Sequence, residues 1–260
     1  MRYAPRSLTG QHVFPWVIQT VIIGSTFWFI ASVVRPDAVT SISAIIFFWV
    51  CTTAFGAAAY VPAVILAKPI LAREVADGLY RPVTFLTSLL VEEIIIAIPT
   101  TLAINVAMWF ALQLAGSFIA WFLTFFIAYV TGILVSYAIC AFAPGGISGL
   151  NIANAAVPIY GVICLFFSGF LISVNSIGWW WRWLVYACPT FWGFSAQMNN
   201  FWREGTDRAI PYLGSPSVPA HFGVDVLGPS PWPYIGMQCV FPVVFFLLAA
   251  VGFNRTRSGR

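Results

Sequence analysis

Lys68-Pro-Ile-Leu-Ala-Arg-Glu-Val-Ala-Asp-Gly-Leu-Tyr-Arg81 is a short charged island between two long apolar stretches. A polar turn between membrane crossings is ordinary, but this one is long enough to form a short helix beyond the bilayer. Read as a helix over 69–81, it places Arg73 and Asp77 at i,i+4 and Glu74 and Asp77 at i,i+3, with Tyr80 and Arg81 just past Gly78. Two readings stay open from these residues alone. One is a solvated surface turn; the other is a lever by which something outside the membrane moves what lies inside it.

Outward from the island the chain is membrane-like. Of 260 residues, 60% are hydrophobic, 17% aromatic and only 8% charged, against about 45–50% apolar for a globular domain. A span needs roughly 20 apolar residues. The runs here reach that length without strict alternation, which favours helices over a barrel. The expected fold is all-α and integral to the membrane, one domain over 1–260, with spans at about 12–34, 41–67, 82–114, 117–142, 147–174 and 233–253. The first run is too long for a cleaved signal h-region and is expected to act as its own signal anchor. Pro99 predicts a kink in the third span.

Charge placement orients the chain. With a cytoplasmic amino terminus, Arg2, Arg6, Lys68, Arg73, Arg81, Arg255, Arg257 and Arg260 lie inside and Arg35, Arg182, Arg203 and Arg208 outside. The positive-inside rule selects that arrangement, with both termini and the island cytoplasmic; the plasma membrane is the expected location, although charge placement does not distinguish it from an organelle membrane. Residues 175–232 then face outward. Within them Ile177-Gly-Trp-Trp-Trp-Arg-Trp-Leu-Val-Tyr186 is strongly aromatic, and 189–202 is expected to form an interfacial or re-entrant helix. The aromatic run reads equally as a headgroup belt or as a lid over a central cavity.

The net charge of +4 carries no signal for nucleic acid in such a chain. Cys51, Cys140, Cys164, Cys188 and Cys239 are scattered singly, and His12 and His221 have no partners at ligand or catalytic spacing, so no metal site and no enzyme site is expected. A disulfide is conceivable only for Cys188, in the external segment. No Gly-rich loop followed by Lys-Ser or Lys-Thr is present, so P-loop ATP binding is not expected of these residues.

Several polar groups fall inside apolar runs. Glu92 and Glu93 follow the island by about one span-third, and an intramembrane carboxylate costs on the order of 2.5–3.5 kcal/mol unless it meets a partner or cavity. Adjacent helical residues diverge by about 100°, so the two cannot share a face. They either sit at headgroup depth paired with Arg73 or Arg81, or one of them points inward. Thr52, Thr53 and Phe55 in the second span, and Gly161, Ser168 and Gly169 in the fifth, suit close helix packing. Asn151 and Asn154 stand near the start of the fifth span.

The order of these motifs resembles a known family. Arg73-Glu74-Val-Ala-Asp-Gly78-Leu-Tyr80-Arg81, followed by an apolar span with an early acidic residue and a proline, is similar to the first cytoplasmic loop of G-subfamily ABC transporters, the white, sterol-exporter and pleiotropic-drug-resistance type. Phe167-Ser168-Gly169-Phe170-Leu171-Ile172, then Trp179, Trp183, Tyr186, Pro189 and Asn200-Phe201, resembles that family's fifth span and external re-entrant region. The chain departs from the pattern at Asn199-Asn200-Phe201, where the family usually has Asn-Glu-Phe, and at Phe170-Leu171, where some members have Leu-Leu.

The resemblance implies an ABC-2 type membrane domain that pairs with a second transmembrane domain, the same or different, around a cavity. Residues 69–81 would be the coupling helix, with Arg73, Glu74, Asp77, Gly78, Tyr80 and Arg81 meeting a nucleotide-binding domain that carries ATP and Mg; no cofactor is implied on this chain itself. Thr52, Thr53, Phe55, Val162 and Leu165 would contact substrate, and Phe170 and Leu171 would form an apolar valve. The implied activity is ATP-driven export of hydrophobic or amphipathic molecules, such as lipids, sterols or xenobiotics. The alternatives are ion-coupled transport through Glu92 or Glu93, and a non-transporting membrane scaffold or truncated subunit. The chain is either part of a longer polypeptide or the companion of a separate ATPase.

Overall fold

The computed structural model describes residues 38–202 and 211–258. The expected first span, 12–34, lies outside the described residues, as do Arg203 and Arg208. Among the described residues the fold is helical, with one isolated antiparallel bridge between Tyr212 and Ser215. The helices are α1 (Val39–Gly56), α2 (Val61–Ala76), α3 (Pro82–Leu112), α4 (Phe118–Phe142), α5 (Gly146–Phe166), α6 (Arg182–Ala187), α7 (Pro189–Phe201), α8 (Val218–Phe222), α9 (Pro231–Gln238) and α10 (Val240–Ser258). Five stretches are long and apolar enough to cross a membrane: Val39–Ala76, Pro82–Leu112, Phe118–Phe142, Gly146–Phe166 and Pro231–Arg255. This agrees with an all-α integral membrane domain.

The boundaries follow local chemistry. Pro82 sits at the first position of α3 behind an extended Arg81, where a missing N–H costs nothing. Gln113 ends α3 in the left-handed region, at φ 52°. The Ser117 hydroxyl accepts from the Ala120 amide to open α4.

Two expected boundaries move. The second span does not stop at Lys68-Pro69 before a separate short helix. A single turn of 3-10 helix, Ala57–Tyr60, joins α1 to α2, and α2 runs through Pro69 to Ala76. Proline removes one backbone donor but keeps a helical φ, and Lys68 finds its partners inside the protein rather than in water. The fifth span ends at Phe166 rather than near 174, because Gly169 turns the chain at φ +92°.

Helix α4 is central and packs on α1, α3, α7 and α10. Gly132 lets α1 approach closely: a Cβ there would lie 2.7 Å from the Thr53 carbonyl oxygen. Three polar side chains in this core donate across helices. Trp49 Nε1 donates to Asn105 Oδ1 at 3.1 Å, Gln197 to the Trp121 carbonyl at 3.0 Å and Gln238 to the Thr124 carbonyl at 3.1 Å.

The segment between α5 and α9 has two characters. Every residue of α7 is buried, and α7 lies against α1, α4 and α9. The aromatic run before it stands clear, with Trp179, Trp180, Trp181 and Trp183 all more than half exposed. These four rings stand beside the buried helix, while Tyr186 at the end of the run packs on Phe191 and Trp192 of α7.

Candidate functional site

One helical rod carries both sets of residues singled out around the charged island. Val39–Ala76 spans 38 residues, about 57 Å at 1.5 Å per residue, against a hydrocarbon core of about 30 Å. A substantial part of it therefore projects beyond the hydrocarbon.

At the projecting end α2 closes in a Schellman turn. The Gly78 amide donates to the Val75 carbonyl at 3.2 Å and the Leu79 amide to the Glu74 carbonyl at 3.1 Å. Gly78 takes φ +75°, with open space where a Cβ would stand, so backbone conformation alone demands the glycine. The Tyr80 hydroxyl donates to the Glu74 carboxylate, and its ring stacks on Phe85 at 6.3 Å and 8°. Phe85 in turn meets Phe253 of α10 edge-on. Arg73, Asp77, Gly78 and Arg81 are exposed, while Glu74 and Tyr80 are half-buried. The turn is thus a folded cap tied to two other helices, with a charged outer face.

Toward the other end of the rod, Thr52 and Phe55 share a partly exposed stripe with Phe48 and Ala59, four and three residues apart. The Thr52 hydroxyl donates to the Phe48 carbonyl at 2.6 Å. The Phe55 ring lies on α5, where a Cβ on Gly161 would be 3.1 Å from two ring carbons. Val162, 43% exposed, and the half-buried Leu165 extend that face along α5. Phe48, 53% exposed, belongs to the stripe and was not singled out above; its place four residues before Thr52 was the available signal. Thr53 turns the other way. It is buried, its own carbonyl oxygen faces Gly132 of α4, and its hydroxyl donates to the Val50 carbonyl at 2.7 Å.

Phe170 and Leu171 diverge. Phe170 stacks on Phe47 at 4.8 Å and on Phe222 at 5.6 Å, and meets Phe194 edge-on. Leu171 is 48% exposed. Both lie in the turn after α5, which Gly169 allows: a Cβ there would already lie 3.1 Å from Val224.

The two carboxylates separate as the helical angle requires. Glu92 is exposed; Glu93 is half-buried and faces the Tyr60 hydroxyl, which is itself hydrogen-bonded to the Tyr129 hydroxyl across α4. Tyr60, from the joint of the rod, rather than Arg73 or Arg81, is therefore the partner of Glu93. No group of three or more His, Cys, Asp or Glu side chains able to hold a metal ion occurs among the described residues. The five cysteines are free thiols; Cys188 is buried beside Cys164.

The sequence matches the family ABC2_membrane, described as ABC-2 type transporter, over residues 2–202. It is 25% identical over 209 residues to the Brefeldin A resistance protein of Schizosaccharomyces pombe, covering 78% of this chain and 13% of that protein. It is 29% identical over 218 residues to the ABC transporter G family member STR2 of Medicago truncatula, covering 81% and 29%. With the Broad substrate specificity ATP-binding cassette transporter ABCG2 of Rattus norvegicus it shares 25% over 188 residues, 71% of this chain and 28% of that protein. The chain thus spans less than a third of the length of these relatives. The helical architecture and a match covering most of its length agree: the chain belongs to the ABC-2 type transporter family of membrane domains, with relatives in the G family of ABC transporters.

Proposed function

We propose that this chain is the membrane-spanning, substrate-translocating part of an ATP-driven exporter of hydrophobic or amphipathic compounds. One observation carries the reading: Val39–Ala76 links the apolar stripe at Phe48, Thr52 and Phe55 to the charged cap at Arg73, Glu74 and Asp77 through a single rod. A push on the cap from a nucleotide-binding domain holding ATP and Mg would tilt the stripe against α5. Two transmembrane domains would enclose a cavity between their stripes. Thr52, Phe55, Val162 and Leu165 would line it, and Leu171 would meet its counterpart as the valve, with Phe170 as its fixed base. The cap would face the cytoplasm, as would both termini, and the plasma membrane is the proposed location. The relatives' names support an exporter: one is named a brefeldin A resistance protein and another a broad substrate specificity ATP-binding cassette transporter.

The test is reconstitution of the full protein, with its ATPase part, in liposomes. Phe55→Ala should lower substrate-stimulated ATP hydrolysis and transport together by about tenfold, equivalent to about 1.4 kcal/mol of substrate binding. Unchanged transport and unchanged stimulation would remove the pore assignment. A second reading, ion-coupled transport, draws on the half-buried Glu93 beside Tyr60. It requires proton-dependent flux without ATP, abolished by Glu93→Gln.

A further inference from the structure

Lys68 does not lie in solvent with the rest of the island. It is 7% exposed, and its ammonium donates to three carbonyls at the C-terminal end of α4: Cys140 at 3.1 Å, Ala141 at 3.0 Å, and Ala143. Helix ends leave their last carbonyls without intrahelical donors and carry the negative end of the helix dipole. An ammonium has three donors and no acceptor, so one lysine can serve three of these oxygens. The same end of α4 is held from its other side. Gly252 of α10 lies so close that a Cβ would be 2.6 Å from Ala141, and Arg255 stands 5.8 Å over the Phe142 ring.

We propose that Lys68 is a positioning residue for the transport cycle: its ammonium pins the arm of residues 69–81 to the C-terminal end of α4, so that the arm and the central helix move as one body. The geometry stands alone, but its consequence for transport rests on the exporter reading above. Lys68 is one residue before the part of α2 that leads, without a break, to the Schellman turn at Gly78. Movement of the cap would reach α1 along the rod and α4 through Lys68, and α4 contacts both α1 and α7. Leucine or methionine would fill the same volume without bonding the carbonyls, so only the pin would be lost.

The test uses the full protein, with its ATPase part, in nanodiscs and liposomes. Spin labels at Leu79→Cys and Ile147→Cys report the arm and the first turn of α5, which follows the end of α4, in a Cys239→Ser background. Both sites are exposed, and Gly149 packs on the Pro144 backbone, which keeps Ile147 tied to the end of α4. Lys68→Met should broaden the distance distribution between the labels and lower the molecules transported per ATP roughly fivefold, with basal hydrolysis retained. Lys68→Arg, which keeps a cation with several donors, should restore both. A distribution unchanged by Lys68→Met would overturn the proposal. If Lys68→Met does not accumulate in membranes, Lys68→Leu, which likewise has no donor, is read instead, and an unchanged distribution there overturns it equally. The distance readout needs no transport, so a failed exporter reading with a broadened distribution is distinguishable from a failed pin.

Discussion

Asn200 and Ser117 hold each other by two hydrogen bonds. The Ser117 amide donates to Asn200 Oδ1 at 2.9 Å, and Asn200 Nδ2 donates to the Ser117 carbonyl at 3.1 Å. This fixes the C-terminal turn of α7 on the short connection between α3 and α4. Gly116, at φ +102°, completes the seat: a Cβ there would be 2.4 Å from the Asn200 carbonyl oxygen. The resemblance noted above has a glutamate at this position. A carboxylate could accept from Ser117 but, ionised, could not donate to its carbonyl. The departure from the family pattern is therefore matched by a contact that uses both ends of an amide.

Asn200→Asp removes the donor and keeps the shape. The expected loss is about 1–3 kcal/mol, the usual range for a buried acceptor left without its partner. It is read as a lower midpoint of thermal unfolding in nanodiscs. Gly116→Ala should lower the midpoint as well, since it meets both an unfavourable backbone conformation and a backbone oxygen. Midpoints equal to wild type in both variants would show that α7 is held elsewhere.

Phe170 and Leu171 should behave oppositely despite being adjacent. Phe170 is stacked between Phe47 and Phe222, so Phe170→Ala removes contacts within this chain and should cost about 3 kcal/mol of stability. Leu171 is half exposed, and Leu171→Ala should leave the unfolding midpoint near wild type while altering transport. Thermal unfolding and vesicle flux measured on the same two variants separate the roles. Equal loss of stability in both would contradict the divergence of the pair.

The cap at the end of α2 makes a separate prediction. Tyr80→Phe keeps the stack on Phe85 and loses the bond to Glu74. Transport per ATP should fall while hydrolysis persists, and Glu74→Arg should have the larger effect because it replaces the acceptor of that bond with a cation next to Arg73. Gly78→Val should cost about 1–2 kcal/mol locally, the penalty for a side chain in the left-handed region, with no steric clash to add to it. Coupling ratios indistinguishable from wild type in all three would mean that nothing docks on this cap.

Much of the fold was legible because span length and apolar runs are strong signals: the described part of each later span overlaps its expected range. The details that escaped are those set by tertiary contacts. Lys68 is a charge beside a proline, and by local rules it ends a span; only the carbonyls of α4 explain why the helix continues. Thr53 and Thr52 are chemically alike and adjacent, and periodicity cannot say which faces α4 until the neighbour is known. The angle between Glu92 and Glu93 was legible from helix geometry, but Tyr60 as the partner was not, since it arises from a residue more than thirty positions away in another helix. Phe170-Leu171 reads as one apolar pair, yet the left-handed Gly169 sends the two side chains apart.

The Cys188 thiol gives a prediction in pH. It is buried before α7, and contact with Cys164, together with burial, pushes its proton affinity up from the usual thiol range. A thiol that holds its proton more tightly when folded contributes stability that is fully present below the unfolded pKa and is lost as the pH rises through the folded one. Nothing should therefore be lost across neutral pH, and the thiolate, which is the reactive form, should stay scarce well above it. Between pH 7 and 9 maleimide should leave Cys188 unmodified in the folded protein in nanodiscs and label it once the protein is denatured in SDS, as peptide mass spectrometry would show. Labelling of Cys188 that rises with pH as an ordinary surface thiol does would place its sulfur in water, and would detach the start of α7 from the end of α5, where the Thr190 hydroxyl now donates to the Cys164 carbonyl at 2.9 Å.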